Sequence, residues 1–172
     1  MHPEQTVKHI VIRDADASFI EDRTYQEYFQ EILVREALPE DASDIAVLCR
    51  DCLGYECTDE LIETNLKNLR ADRERVFVAV YEGRTVGFIH VEKYSVLYIE
   101  PMANILGIAV DEHLRHRSIG TLLIKAGETW AKEQGITAMR LNSGAGRKGA
   151  HQFYRALGYE DSKQQYRFLK KL

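Results

Sequence analysis

The stretch from Ile108 to Leu123 carries the residues best placed for chemistry. It reads Ile108-Ala109-Val110-Asp111-Glu112-His113-Leu114-Arg115-His116-Arg117-Ser118-Ile119-Gly120-Thr121-Leu122-Leu123. An apolar strand ends at Val110, and a short basic turn then opens an amphipathic helix. The first N–H groups of a helix have no intrahelical partner, and the helix dipole places partial positive charge behind them. Arg115, His116 and Arg117 add charge suited to phosphate, and Gly120, lacking a Cβ, lets another group approach the backbone. Together these residues describe an anion cradle at a helix N-terminus. A helix start rich in surface arginine is the plainer reading of the same residues.

Other reactive side chains are scattered. Glu100 stands at the entry to the strand that ends at Val110, and Glu92 and His90 lie on the strand before it. Each is a candidate to take a proton. Cys49, Cys52 and Cys57 fall in one short stretch, and a Cys-x-x-Cys pair invites a zinc or redox reading. A structural zinc site wants four ligands, however, and nothing nearby supplies the fourth. Cys49 and Cys52 also share an apolar helical stripe, so they read as packing thiols.

The elements that must position these groups follow from local signals. Ile32 to Ala37 reads as a strand. Pro39-Glu40-Asp41 opens a helix whose stripe is Ala42, Ile45, Leu48, Cys49 and Cys52, stopped by Gly54. Thr58 caps the next helix, with Leu61, Ile62, Leu66 and Leu69 as its expected buried face. Val76 to Tyr81 and Thr85 to Val91, joined through Glu82-Gly83-Arg84, form a β-hairpin. Ala103 to Val110 reads as a strand buried on both faces. The helix after it buries Ile119, Leu122, Leu123, Ala126 and Trp130 and stops at Gly135. Strand Ala138 to Asn142, helix Lys148 to Leu157 ended by Gly158, and a last strand near Tyr166 to Leu169 complete the order. An early antiparallel hairpin with a late crossover specifies an α/β sheet with both faces covered.

The turn and the segments around it resemble the GNAT superfamily of N-acetyltransferases. Val110 followed by Arg115-x-x-Ser118-x-Gly120 is similar to motif A of that superfamily, with Ser118 where the first glycine usually stands. Ala150-x-x-Phe153-Tyr154-x-x-x-Gly158-Tyr159 is similar to motif B, with Arg147 where an asparagine is usual. The resemblance covers Ile32 to the C-terminus and is nearest to bacterial small-molecule acetyltransferases, the aminoalkylphosphonate and aminoglycoside types. It implies the GNAT fold, a mixed central sheet splayed between two parallel strands with helices on both faces.

It also implies acetyl-CoA as co-substrate. Main-chain groups of Ile108, Ala109 and Val110 would hold the pantetheine amides and the acetyl oxygen, and the turn Arg115, His116, Arg117, Ser118, Ile119, Gly120 and Thr121 would hold the pyrophosphate. Asn142 and Arg147 complete the expected cofactor contacts. Tyr154 matches the tyrosine that protonates the leaving thiolate. In several relatives a carboxylate lies six positions before the residue matching Val110; here Asn104 stands there, and Glu100 is taken as the base. Ser118 leaves two cases. In helical φ/ψ it costs little, whereas at positive φ it costs roughly a kcal/mol or more. Gly107 fits a β-bulge or a packing position.

The implied activity is direct transfer of acetyl from acetyl-CoA to a primary amine of a small molecule. A protein or peptide acceptor keeps the same fold, and a non-catalytic acyl-CoA-binding domain is the reading from another class. The 172 residues suit one core, and a net charge of -4 gives no basic footprint for nucleic acid. No signal peptide or membrane-length apolar run is present, so a cytoplasmic protein is expected. No metal is expected. Residues 1–31 form an N-terminal extension before the 32–172 domain. Its Phe19, Ile20, Tyr25, Tyr28 and Phe29 suggest an apolar arm on this chain or on a partner copy, so a homodimer is a candidate assembly.

Overall fold

A computed structural model describes residues 32–161 and 163–172. The expected N-terminal arm lies outside the described residues. Five strands form one sheet in the order β1-β2-β3-β4-β5: Leu33–Glu36, Glu74–Tyr81, Arg84–Val96, Ile99–Val110 and Met139–Leu141. The first three pairings are antiparallel, and β4 pairs with β5 in parallel. The parallel pair needs a crossover, which α3 (Ile119–Glu133) supplies. Between β2 and β3 the chain turns through Glu82 and Gly83, with φ of 51° and 77°. Two left-handed central residues match the twist of a two-residue hairpin.

Each face of the sheet has its own core. On one, α3 packs Ile119, Leu122, Leu123 and Trp130 against Ile89, Val91, Ala103 and Ile105. Gly127 lets this helix sit close, since a Cβ there would lie 3.0 Å from a Val91 methyl. On the other, α1 (Ala42–Leu48) sets Ile45 and Leu48 against Val76, Val78, Phe88 and Ala109. The chain continues from α1 as a π-turn, Cys49–Leu53, and stops at left-handed Gly54. Thr58 caps α2 (Asp59–Lys67) by accepting the Leu61 N–H at 3.2 Å. Ile62, Leu66 and Leu69 face the core as expected, but Leu61 is half exposed because it lies in the capped first turn, off the packed stripe. Among the described residues no helix is long and apolar enough to cross a membrane.

Two expectations fail for tertiary reasons. No strand forms over residues 166–169; Tyr166 and Phe168 are almost fully exposed, and among the described residues no strand pairs with them. Strand preference describes fit to a pleated, half-buried surface, and the described residues put none beneath this segment. The central strand is also not buried throughout, since Leu106 is 49% exposed where β5 no longer covers it.

Asp41 ties β1, β3 and the start of α1 together. Its buried carboxylate accepts both Arg35 guanidinium nitrogens at 2.7 and 2.8 Å, the Leu38 N–H at 2.8 Å and the Thr85 hydroxyl at 2.6 Å. Burial pushes its pKa up, but these donors outweigh that and hold it below the usual carboxylate value. A lowered folded pKa means stability that is present above the unfolded value and is lost as pH falls through the folded one. We expect Asp41→Asn to cost about 3 kcal/mol at pH 7, by leaving Arg35 uncompensated. Denaturant unfolding should show this gap closing below pH 4; a gap equal at pH 3 and pH 7 would contradict it.

Candidate active site

The cradle is built from alternating backbone conformations. After β4 ends, the Asp111 carboxylate accepts the His113 N–H at 2.9 Å and starts a single 3-10 turn, Glu112–Leu114. Arg115 is extended, His116 has φ of 65°, Ser118 has φ of 59°, and α3 begins at Ile119. Left-handed residues in such a turn fold successive N–H groups into a concavity that suits anions. The first N–H groups of the fifteen-residue α3 add to it. This arrangement fits a diphosphate.

Ser118 therefore falls in the positive-φ case, and its side chain makes no capping hydrogen bond. Ser118→Gly should relieve backbone strain of about 1 kcal/mol, raising the melting temperature by roughly 2–4 °C. CoA affinity should rise a few-fold through the better-formed turn. Calorimetry of both quantities checks this; a drop in either would show that the serine side chain holds something in place.

Gly120 has a second role that its sequence context did not reveal. A Cβ there would lie 3.1 Å from Cζ of Phe153 on α4 (Lys148–Ala156). The glycine admits the motif B ring as well as baring its own backbone. Arg117 also has a protein partner, stacking 5.7 Å above Tyr81 and donating to its hydroxyl at 3.3 Å.

From the cradle the opening runs back along β4. β5 pairs with it only at Ala103, Asn104 and Ile105, then diverges. From Gly107 to Val110, β4 keeps β3 on one edge and, among the described residues, has no strand on the other. The register against β3 slips between His90↔Gly107 and Val91↔Ile105, leaving Leu106 unpaired as a bulge residue. A Cβ on Gly107 would make only ordinary contacts, at 3.9 Å and beyond, so its place beside the bulge explains it better than packing does.

The side chains of Ala109 and Ile119 are buried and that of Ile108 packs on the α3 core. These residues offer a ligand their main chain, as does Thr121, one turn into α3. Cys52 enters this region: its thiol lies 3.4 Å from the Val110 carbonyl oxygen, and its own carbonyl accepts Arg147 at 3.3 Å. Burial pushes the Cys52 thiol up, and nearby Arg115 pulls it back. All three cysteines are free; Cys49 and Cys52 pack on the α1 core, and burial, then Cys57, push Cys49 up to about 11.

Tyr154 is half buried at the edge of the α3 core, with Phe153 at 5.4 Å and Tyr159 edge-on at 6.0 Å. Burial pushes its phenol above the usual value, partly countered by Arg147. A phenol so placed keeps its proton until a stronger base appears beside it. Tyr154 and exposed Asn142, which accepts from Arg140 at 2.9 Å, line one groove of about 1940 Å³ along β5. Glu100 is exposed near the start of β4, four residues before Asn104 and so about 13 Å from it along the strand. At the fork itself stand Asn104 and Glu92, joined by a hydrogen bond of 3.1 Å.

The acetyltransferase (GNAT) family profile matches residues 40–159, most of the chain. The chain belongs to this family. As a GNAT enzyme it is an acyl-CoA-dependent N-acetyltransferase, with acetyl-CoA as co-substrate. An uncharacterised N-acetyltransferase of Chlorobaculum tepidum is 29% identical over 136 residues, covering 77% of this chain and 78% of that protein. One of Methanocaldococcus jannaschii is 36% identical over 95 residues, covering 54% of this chain and 42% of its own length.

Solved structures share the GNAT fold. The aminoglycoside N-acetyltransferase AAC(6')-Iy in complex with CoA superposes with a TM-score of 0.73 at 19% identity, over 85% of this chain and 99% of that one. An aminoglycoside acetyltransferase from an uncultured soil metagenomic sample, bound to trehalose, gives 0.68 at 23%, over 82% and 96%. A transcriptional regulator from Bacillus halodurans gives 0.71 at 23%, over 81% and 99%. The fold thus hosts different roles, and the acceptor must be argued from the site.

Proposed function

We propose that this GNAT enzyme transfers acetyl from acetyl-CoA to a primary amine of a small molecule, in a ternary complex. The observation that carries the reading is the fork in the sheet, with an anion cradle at one end and a polar pair at the other. The cradle around His116–Ser118, with Arg115 beside it, holds the diphosphate. The open edge of β4 between Leu106 and Val110 supplies main-chain groups for the pantetheine amides and the acetyl oxygen. An N–H aimed at that oxygen would stabilise the charge that develops on it. Tyr154 keeps its proton for the departing sulfur. A small acceptor is favoured by the aminoglycoside acetyltransferases that share the fold.

The test is thiol release from acetyl-CoA with a panel of polyamines, aminoglycosides, aminophosphonates, amino acids and peptide N-termini. Turnover with one class of small amine supports the reading. Turnover with peptides alone would move the acceptor to protein, and CoA binding without turnover on any amine would leave a binding domain.

A further inference from the structure

The acetyl-transfer reading needs a group that removes a proton from the acceptor, because an alkyl ammonium titrates near ~10. The fork holds one carboxylate in a built setting. Strand register places Glu92 of β3 opposite Asn104 of β4, one residue before β5 makes its last pairing at Ile105. The Asn104 amide donates to Glu92 Oε1 at 3.1 Å, and Arg73 lies 3.4 Å from Oε2. Because a carboxylate only accepts, the Asn104 NH₂ must face Glu92, which fixes its Oδ1 on the other side.

That oxygen is the unusual atom. Asn104 is only 8% exposed, and among the described residues its buried Oδ1 has no hydrogen-bond partner. Leaving such an acceptor without a donor costs about 1–3 kcal/mol. A protein that tolerates this at the fork of its substrate cleft holds an acceptor site ready for an N–H that arrives with a ligand. The distance agrees: Val110, beside the cradle, is five residues along β4 from Ile105, about 16 Å. A thioester anchored in the cradle and running back along β4 therefore ends beside Asn104.

We propose that Glu92 is the base that deprotonates the acceptor amine, and that Asn104 orients Glu92 and offers its side-chain carbonyl to the same nitrogen. The amine arrives as an ammonium and gives one proton to Glu92. Its freed lone pair forms the N–C bond at the thioester carbonyl, the C–S bond breaks toward sulfur, and Tyr154 supplies the thiol proton. The nitrogen sheds its second proton to solvent, Glu92 releases the first one there, and solvent reprotonates Tyr154. The groups facing Glu92 are Glu74 opposite it on β2, Arg73, and His90 and Tyr94 on its own strand. His90 donates to Glu74 at 3.0 Å, so Glu74 is already engaged, while the Arg140 guanidinium stacks 4.7 Å above Tyr94 and walls the β5 side. Exposed Glu100 has no comparable setting.

The test is Glu92→Gln, which keeps size and the hydrogen bond from Asn104. With the best amine from the panel, kcat/KM for the amine should fall about 10²-fold at pH 7. The loss should shrink as pH approaches ~10, where the free amine is abundant. Acetyl-CoA affinity by calorimetry should stay within two-fold. Asn104→Leu removes the unpaired oxygen, so it should melt no lower than wild type while kcat/KM for the amine drops at least ten-fold. An unchanged rate in Glu92→Gln, or a loss that is the same at every pH, overturns the assignment of Glu92. Full activity in Asn104→Leu overturns that of Asn104. Wild type inactive on every amine would instead sink the acetyl-transfer reading and this assignment with it.

Discussion

Tyr154→Phe should cut kcat by roughly 10–10³-fold while leaving thermal stability and CoA affinity nearly unchanged. The phenol sits on α4 at the margin of the α3 core, and its ring contacts to Phe153 and Tyr159 survive the substitution. Its hydroxyl makes no hydrogen bond among the described residues, so removing it strands no partner. Burial raises the phenol pKa, which keeps it protonated through neutral pH and makes it a donor rather than a base. The sulfur needs that proton only as the C–S bond breaks, so the loss belongs in kcat. An acyl donor with a better thiol leaving group should lose less. Full kcat in the Phe variant would make Tyr154 a packing residue. A variant that keeps kcat yet melts lower would show that the hydroxyl is structural.

The second large effect is expected at Gly120. Gly120→Val should weaken CoA binding ten-fold or more, about 1.4 kcal/mol, and should also destabilise the fold by roughly 1–3 kcal/mol. The second loss follows from Phe153, whose ring edge lies 3.1 Å from where the new Cβ would stand. A β-branched residue there drives α4 away from α3, and α4 carries Tyr154. The two causes separate in the double variant Gly120→Val/Phe153→Leu. If crowding dominates, the smaller leucine side chain recovers stability and affinity together. If the backbone must touch the diphosphate, stability recovers and affinity does not. A single variant that melts and binds CoA like wild type would remove Gly120 from both roles.

What the amino-acid sequence determined by itself is local. The strand-turn-helix around Val110 and Ile119 is legible because its signals lie within a dozen residues: an apolar run, a basic turn, then a helical stripe. The Thr58 cap, the left-handed stops at Gly54, Gly135 and Gly158, and the Glu82-Gly83 hairpin are legible for the same reason, since each depends on a residue and its immediate neighbours. The two motifs spaced along the chain then pointed to the family that the profile match establishes.

Contacts between elements were decided elsewhere. Asn104 and Glu92 lie twelve residues apart, and nothing in their spacing says that they meet; a one-residue slip would turn one of them to the opposite face of the sheet. The bulge at Leu106 sets that register, and bulges are written in pairing rather than in composition. Ser118 is read as a small polar residue in a turn, yet only the path of the chain between β4 and α3 forces its φ positive. The aromatic tail at residues 166–169 has the residues of a strand and, among the described residues, no strand to pair with. Dihedral preferences act over one or two residues, so the sequence displays them directly. Register, close approach and strand pairing are set by atoms that the chain brings together only on folding.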